Sequence, residues 1–256
     1  MIENWIGFRT LVKREILRFF IVFSQTLLPP LISSVLFLFV FGYSLGSRMN
    51  LSIHGATYLE FIVPGLVMMH LIESPYTNNS SSLFISRWQN LIQELLLSPL
   101  SYFEMVLGLL LGGIARGWLV GGGVYAVSLL FVRFPFHSWP VVLYFFLMIP
   151  LIFALLGLLV GLWAEGFEKL SFWNAFVLTP LIYFGGVFHS VDMVPAPLQW
   201  ITHLNPIFYF VSGLRYGMIG HADVDVGISM VLAAALAAAL FVLVERLFRI
   251  GYKLRS

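Results

Sequence analysis

Six long apolar runs constrain this chain more than any other feature of its sequence. A helix needs about 20 mostly apolar residues to cross roughly 30 Å of hydrocarbon, and its backbone satisfies its own hydrogen bonds there. The sequence therefore predicts an all-α, polytopic integral membrane protein with six transmembrane helices. The predicted spans are Phe19–Tyr43, Tyr58–Asn78, Tyr102–Val132, Trp139–Ala164, Phe172–Phe188 and Gly227–Phe248.

The composition excludes several other classes of protein. Of the 256 residues, 60% are hydrophobic and 10% are charged, whereas soluble domains carry about a quarter charged residues. The formal net charge of +2 offers no basic surface to nucleic acid. The chain has no cysteine, which excludes disulfide frameworks and thiolate metal sites. We interpret residues 1–256 as a single membrane domain.

The stretch before the last span breaks the pattern. Pro195 and Pro197 interrupt the chain, and apolar residues resume at Leu198–Gly213. A segment of about 10–16 residues is too short to cross a bilayer upright. We therefore predict an outer re-entrant or interfacial region over residues 190–216.

Basic residues orient the predicted spans. With the N-terminus inside, ten basic residues fall in cytoplasmic segments and three in outer segments, so the positive-inside rule places both termini in the cytoplasm. The cytoplasmic ten are Arg9, Lys13, Arg14, Arg18, Arg87, Lys169, Arg246, Arg249, Lys253 and Arg255, and the outer three are Arg48, Arg133 and Arg215. The amphipathic residues 1–18 fit either a helix on the cytoplasmic membrane surface or a simple basic flank.

A second amphipathic segment, residues 87–98, lies between spans two and three. Its apolar residues recur at i, i+3, i+4, i+7 and i+8, with polar residues mainly opposite and Pro99 ending the run. Such a helix can lie in the membrane interface or fit the groove of a soluble partner. The apolar positions are Trp88, Leu91, Ile92, Leu95 and Leu96.

Glycine rows and two buried charges mark the bundle interior. Gly108-xxx-Gly112 and Gly113-xxx-Gly117-xxx-Gly121 allow close helix packing within the bundle or, less specifically, between two copies. Glu73 and Arg116 are both expected near mid-membrane, where each needs a partner or a wet cavity. They either pair to fix helix register or form a polar feature of a translocation path.

One motif suggests an enzyme. Gly42–Gly46 (GYSLG) fits the G-x-S-x-G elbow around a nucleophilic Ser44, but it follows a membrane helix rather than a strand, so we interpret it as a chance match. The sequence contains neither a phosphate-binding G-x-x-x-x-G-K-[ST] loop nor an H-E-x-x-H metal motif. We predict no catalytic, cofactor or metal site in this chain.

Ordered matches along almost the whole chain resemble the membrane subunit of ABC-2 type exporters, especially short bacterial inner-membrane permeases whose ATPase is a separate chain. The matching residues are Phe41-Gly42 with Gly46-Ser-Arg48, Phe61–Gly65 (FIVPG), Glu94–Pro99 (ELLLSP), Ala115–Gly117 (ARG), Gly185–Phe188 (GGVF), Val194-Pro195, His203–Pro206 (HLNP) and Gly213–Gly217 (GLRYG).

The resemblance implies a homodimer of six-helix subunits with two ABC ATPase subunits, which would hold ATP and Mg²⁺. It implies an interface helix over 1–18, a coupling helix over 87–98, and an outer cap over 190–216. The expected ATPase contacts are Arg87, Trp88, Leu91, Ile92, Glu94, Leu95, Glu165 and Glu168. The outer residues it marks are Pro195, His203, Asn205, Pro206 and Arg215.

The expected activity is export of a hydrophobic, lipid-like or glycan-bearing substrate across a bacterial inner membrane. Two alternatives stay open at this point. The first is an integral membrane enzyme built around Ser44 or around Glu73 and Arg116. The second is an ion-coupled secondary transporter, although the two halves show no convincing repeat of the kind that such carriers often have.

Overall fold

The computed structural model describes residues 4–41, 52–53, 56–195 and 199–254, and it is mostly helical. A π-helical segment covers Trp173–Leu178. A two-stranded antiparallel pair, β1 (Ser52–Ile53) and β2 (Ala56–Thr57), directly precedes the helix that begins at Tyr58. The helices are α1 (Trp5–Ile21), α2 (Phe23–Leu38), α3 (Tyr58–Trp88), α4 (Ile92–Leu97), α5 (Tyr102–Ser128), α6 (Trp139–Trp163), α7 (Phe167–Phe172), α8 (Thr179–Phe184), α9 (Gln199–Leu204), α10 (Pro206–Ile219) and α11 (Val226–Ile250).

Four helical segments within the described ranges are long and apolar enough to cross a membrane. They are Phe23–Phe41, Tyr102–Ser128, Trp139–Trp163 and Val226–Ile250. These segments coincide with the predicted first, third, fourth and sixth spans, with edges that differ by up to four residues. Four of the predicted spans are therefore confirmed as candidate membrane helices, in a protein that is mostly helical.

The predicted second span belongs to a much longer helix, α3, which has 31 residues. It is less apolar than the other four because it lies at the centre of the bundle, packed on both α5 and α6. Its buried side chains include His70, Asn78, Asn79 and Ser82. Since neighbouring helices cover α3, it does not need the apolar surface of a lipid-facing helix.

The predicted fifth span, Phe172–Phe188, begins and ends earlier in the structure. Helices α7 and α8 and the π-helical segment between them follow one another from Phe167 to Phe184 without interruption. At about 1.5 Å per residue, these 18 residues cover about 27 Å. The count of six spans stays a prediction, because this segment and α3 lie outside the four confirmed spans.

The glycine rows of α5 serve contacts within the bundle. A Cβ at Gly112 would lie 2.5 Å from the Glu15 Cβ of α1, and a Cβ at Gly121 would lie 2.7 Å from Leu71 of α3. Close approach of the neighbouring helices thus requires glycine at these two positions. The prediction of tight packing inside the bundle is confirmed for both rows.

The chain segments between helices gather at two ends of the bundle. At one end, which we name the inner end, the N-terminal Asn4 amide donates to Glu104 (3.2 Å), and Arg87 of α3 binds the carbonyl of Lys253 near the C-terminus (2.7 Å). The outer end is the opposite one, where the Ser138 amide before α6 donates to Gly217 (2.9 Å). The N-terminal helix and the C-terminal tail therefore share the inner end.

Candidate functional site

The predicted coupling segment, residues 87–98, lies at the inner end but is not one continuous helix. Helix α3 ends at Trp88, a turn follows, and α4 begins at Ile92. Asn90 in this turn has a φ of 60°, a left-handed conformation that a helix interior does not accommodate. The prediction of an uninterrupted helix is therefore wrong.

This break divides the predicted apolar anchors into two groups. Ile92 and Leu95 are 3% and 8% exposed and belong to the buried core. Trp88 and Leu91 are 65% and 43% exposed, and Leu96 is partly buried. Leu97, which is not a predicted anchor, is 86% exposed. Only Trp88, Leu91 and Leu97 therefore offer an apolar surface to a partner, and the exposed Glu94 adds an acidic group to the same segment.

Arg87, a predicted partner contact, instead fastens the inner end together. Its guanidinium donates to the carbonyls of Gly161 (2.7 Å), Leu162 (2.8 Å) and Ala164 (3.1 Å) at the end of α6. It also donates to the carbonyl of Lys253 in the C-terminal tail at 2.7 Å. These carbonyls lack helical partners at a helix end, and a cation is favoured there. Arg87 thus joins α3, α6 and the tail.

The second predicted contact region, residues 165–169, lies beside the first. The Phe167 ring packs edge-on against Trp88, with centroids 5.6 Å apart, and against Phe84 at 4.8 Å. Phe167 and Glu168 are both exposed. Trp88 and Phe167 thus bring the two predicted regions together, and we name their exposed residues the coupling surface: Trp88, Leu91, Leu97, Phe167 and Glu168.

Glu165 stands at the edge of the coupling surface between two lysines. It accepts hydrogen bonds from Lys169 and from Lys253, the latter at 2.7 Å. These two bonds lower the pKa of Glu165 to about 2, so the carboxylate stays ionised at any physiological pH. Glu165 therefore ties α7 to the C-terminal tail by charge.

Glu73 and Arg116 do not meet. Among the described residues no ion pair or hydrogen bond joins them, and the buried Nε of Arg116 has no hydrogen-bond partner. Helix α3 faces α5 with Leu71 and Asn79, and Glu73 lies about 200° around the helix from Leu71. Arg116 follows Gly112 by one turn, on the side of α5 that faces α1. The suggestion that they form a pair is therefore wrong.

A buried polar cluster lies between α1 and α3 at the inner end, and sequence reasoning missed it. Glu15 is 1% exposed and accepts a hydrogen bond from Ser82 at 2.7 Å and an ion pair from Arg14 at 2.9 Å. Arg18 donates to the side chain of Asn78 at 3.0 Å and to its carbonyl at 2.8 Å. A signal was present, because Glu15 shares a helix face with apolar Leu11 and Phe19.

At the outer end, Arg215 is the centre of a second buried cluster, which we name the outer clamp. The fully buried guanidinium pairs with Asp223 (3.0 Å), donates to the carbonyl of Gly186 (2.7 Å) and lies 3.8 Å from the Phe61 ring centre. Asp223 also accepts a bond from Ser190 at 2.7 Å. Three motifs of the family resemblance, around residues 61, 186 and 215, therefore meet at one point.

The remaining predicted outer residues have structural roles around α9 and α10. Asn205 caps α10 by accepting from the Ile207 amide (3.0 Å), and it donates to the Leu181 carbonyl of α8 (2.6 Å). Pro206 is the first residue of α10, where it costs no hydrogen bond. The His203 ring packs edge-on against Phe208 at 5.3 Å, and Pro195 is exposed.

Helices α9 and α10 form a hairpin that turns at Asn205 and returns to the outer end at Gly220. The 14 residues of α10 cover about 21 Å, too short to cross a bilayer. The depth of this hairpin in a membrane stays a prediction. Several predicted features lie outside the described residues, namely the G-x-S-x-G motif with Ser44, Arg48, Pro197 and Arg255.

The apolar helices, with their buried contacts at both ends, define a multi-pass membrane protein. Comparison with known proteins gives the family: the sequence model described as ABC-2 type transporter matches residues 7–219. The chain belongs to the ABC-2 type transporter family, whose permease subunits work with an ABC ATPase.

Named relatives agree with this assignment. The chain is 40% identical over 252 residues, 98% of each chain, to the inner membrane transport permease YadH of Escherichia coli strain K12. It is 25% identical over 250 residues, 96% of this chain and 93% of the relative, to nodulation protein J of Rhizobium meliloti. A further nodulation protein J, from Neorhizobium galegae, is 25% identical over 227 residues, 87% of this chain and 84% of the relative.

Proposed function

We propose that this chain is the membrane subunit of an ABC exporter in a bacterial inner membrane, driven by a separate ATPase. Two copies of the chain and two ATPase subunits would form the complex, with ATP and Mg²⁺ held by the ATPase. The substrate would be hydrophobic, lipid-like or glycan-bearing. Family membership supports the permease role, and the exposed side chains of the inner end support the contact with an ATPase.

The observation that carries this proposal is the coupling surface and its attachment. An exposed tryptophan such as Trp88 is of the kind that fills pockets on a partner protein, and exposed leucines such as Leu97 serve as apolar anchors of a helix in a groove. Directly behind them, Arg87 joins α3, the end of α6 and the tail through four carbonyls. A force on the coupling surface would therefore move several helices together rather than bend one loop.

The orientation follows from charge. Nine of the described basic residues lie toward the inner end, and two, Arg133 and Arg215, lie at the outer end. Under the positive-inside rule the inner end faces the cytoplasm, where ATP is available. Both termini would then be cytoplasmic.

The homodimer would use an apolar face that this chain leaves uncovered. Leu28, Ile32 and Leu36 of the first span are between 48% and 57% exposed. Their spacing of four residues forms one stripe along the helix. In the complex this stripe would meet lipid on part of its length and the second copy on the rest.

Substitution of exposed residues tests the coupling surface. The double variant Leu91→Asp/Leu97→Asp should insert normally but lose the ATPase, because both side chains are exposed and outside the core. The tagged chain would be purified with mild crosslinking, and the bound ATPase would be identified by its phosphate-binding loop sequence in mass spectrometry. Leu95→Asp is unsuitable, because Leu95 is buried.

Leu130→Asp supplies the matched control. Leu130 is 81% exposed and lies just after α5, at the outer end, so the same chemical change occurs far from the coupling surface. The control should keep the ATPase in wild-type amount. An ATPase that co-purifies equally with the Leu91/Leu97 variant would refute the coupling surface.

A further inference from the structure

A large cavity opens between α1 and the inner end of α3. Its volume is about 720 Å³, within the range of roughly 300–1,000 Å³ that small-molecule sites occupy. One wall comes from α1 and the other from the last turns of α3 and the turn after it. Its polar lining residues include Glu15 and Ser82 of the buried polar cluster.

The charge of this cavity is positive. Lys13, Arg14 and Arg18 line it together with one carboxylate, Glu15, which gives three cations against one anion. Glu15 is shared by Arg14, Ser82 and Arg18, whose Nε lies 3.5 Å from its carboxylate at ion-pair distance without a hydrogen bond. One carboxylate therefore serves two arginines, and within the described part of the chain no carboxylate pairs with Lys13.

The remaining lining is apolar. Leu17, Ile21 and Val22 extend along α1, and Ile85 and Leu91 face the cavity from the other wall. A small inorganic anion would satisfy the cations but leave most of this surface uncovered. A molecule with an anionic head and an apolar tail would satisfy both, because arginine and lysine bind phosphate oxygens while alkyl chains cover the apolar wall.

We propose that this cavity binds an acidic phospholipid, with its phosphate between Lys13, Arg14 and Arg18 and the start of its acyl chains along Leu17, Ile21 and Val22. Basic pockets between helices on the cytoplasmic side of a membrane bind such headgroups. The cytoplasmic level of the cavity rests on the orientation given under the proposed function. The binding itself depends on neither the ATPase nor transport.

Native mass spectrometry of the full-length chain in detergent tests this proposal. Dioleoyl phosphatidylglycerol and dioleoyl phosphatidylcholine would be titrated separately, and the chain should retain the first about fivefold more strongly. Lys13→Gln should lower retention of phosphatidylglycerol about fivefold, since one basic residue near an anionic headgroup contributes about that factor. Lys13 is exposed and has no ion pair to lose, so the variant should fold.

Two comparisons separate the cavity from a general surface attraction. Arg9→Gln removes an exposed cation from the same helix, outside the cavity, and should leave retention unchanged. Ser86→Phe fills the cavity without changing charge and should lower retention as much as Lys13→Gln. Size-exclusion chromatography checks that this larger substitution leaves the chain monodisperse.

Three results would overturn the proposal. Equal losses in Lys13→Gln and Arg9→Gln would mean that only overall charge matters. Equal retention of phosphatidylcholine would remove the need for an anionic head. Displacement of the lipid by millimolar inorganic phosphate as readily as by short-chain phosphatidylglycerol would show that the apolar wall contributes nothing. Leu91 lines this cavity as well as the coupling surface, so the two proposals are compared with Leu97→Asp alone, which lies outside the cavity. An ATPase that stays bound to Leu97→Asp would refute the coupling surface and would leave the lipid measurements unchanged.

Discussion

Replacing Arg215 tests whether the outer clamp holds the outer end together. Arg215→Met removes the ion pair with Asp223, the hydrogen bond to Gly186 and the contact with Phe61. Asp223 is only 5% exposed, so the variant leaves a buried carboxylate whose remaining side-chain donor is Ser190. Breaking a buried pair in this way costs about 3–5 kcal/mol.

Thermal unfolding in detergent, followed by size exclusion of the heated samples, measures this cost. For a chain of this size 1 kcal/mol shifts Tm by roughly 2–4 °C, so Arg215→Met should lower Tm by roughly 6–20 °C. Asp223→Leu should cost a similar amount, because it leaves the buried guanidinium without its counter-ion. The double variant Arg215→Met/Asp223→Leu should recover much of the loss, since a well-packed apolar pair often replaces a buried ion pair without net cost.

The double-mutant cycle decides the outcome. If the two residues act as a pair, the double variant lowers Tm by less than the sum of the two single shifts, with an interaction energy of about 3 kcal/mol or more, because the double change costs less than either single change. Additive shifts would show that Arg215 and Asp223 stabilise the outer end independently and would refute the clamp. Leu130→Asp, at the outer end but outside the clamp, should leave Tm within about 2 °C of the wild type, as exposed substitutions usually do.

Three further predictions concern the inner end. Gly112→Leu should release α1, because the Cβ of the new side chain would lie 2.5 Å from the Glu15 Cβ, and trypsin should then cut α1 faster. Gly122→Leu is the control: a Cβ there has no neighbouring atom within 4 Å, so the cleavage rate should not change. Arg87→Ala should speed hydrogen exchange and carboxypeptidase digestion of residues 251–254, because the charged donor's bond to the Lys253 carbonyl, at about 1.5–3 kcal/mol, is lost together with its three bonds to the end of α6. Arg87→Lys should give an intermediate rate, and an unchanged rate in the alanine variant would contradict the attachment. Because the folded pKa of Glu165 is about 2, below the ordinary value of 4.5, its ion pairs should stabilise the fold fully above pH 4.5 and weaken as pH falls toward 2. A carboxyl NMR titration of Glu165 with a midpoint near 4.5 would refute the pairing with Lys169 and Lys253.

Apolar length predicted the parts of this fold that depend on the membrane. Helices α5, α6 and α11 each contain more than 20 mostly apolar residues, and the thickness of hydrocarbon alone sets that number. Their predicted edges are close to those observed, at Tyr102, Trp139 and Val226. The family resemblance contributed the outer clamp residue Arg215, whose position no periodicity indicates.

Periodicity could not distinguish a side chain that faces protein from one that faces lipid or a partner. Ile92 and Leu97 are equally apolar, yet the first is buried and the second is 86% exposed. Because lipid tails and protein interiors are both apolar, the sequence pattern of a membrane helix carries little information about which neighbour covers it. The turn at Asn90, a residue type that tolerates a positive φ, then changed the face that α4 presents.

Arg87 shows a role that the sequence did not indicate, while its contact with an ATPase stays a prediction. A basic residue at a predicted cytoplasmic helix end suggests a partner or lipid headgroup, but here unpaired carbonyls of α6 and the tail surround it. Gly161 and Lys253 lie 74 and 166 positions after Arg87 in the sequence. Only the three-dimensional arrangement brings their carbonyls to the same guanidinium. Hydrogen bonds between residues so distant in sequence produce no local sequence pattern from which they could be predicted.

Helix α3 is attached to other parts of the chain at both of its ends, so it connects the inner end to the outer end. Its 31 residues extend about 46 Å, from the outer clamp to the coupling surface. At the outer end Phe61 lies under Arg215, and a side chain at Gly65 would collide with the carbonyl of Val187. At the inner end Arg87 is bound to α6 and the tail. Under the proposed function, a displacement of the coupling surface by an ATPase would therefore reach the outer clamp through α3, which is helical throughout although it contains Pro64 and Pro75, rather than being absorbed by a loop between the two.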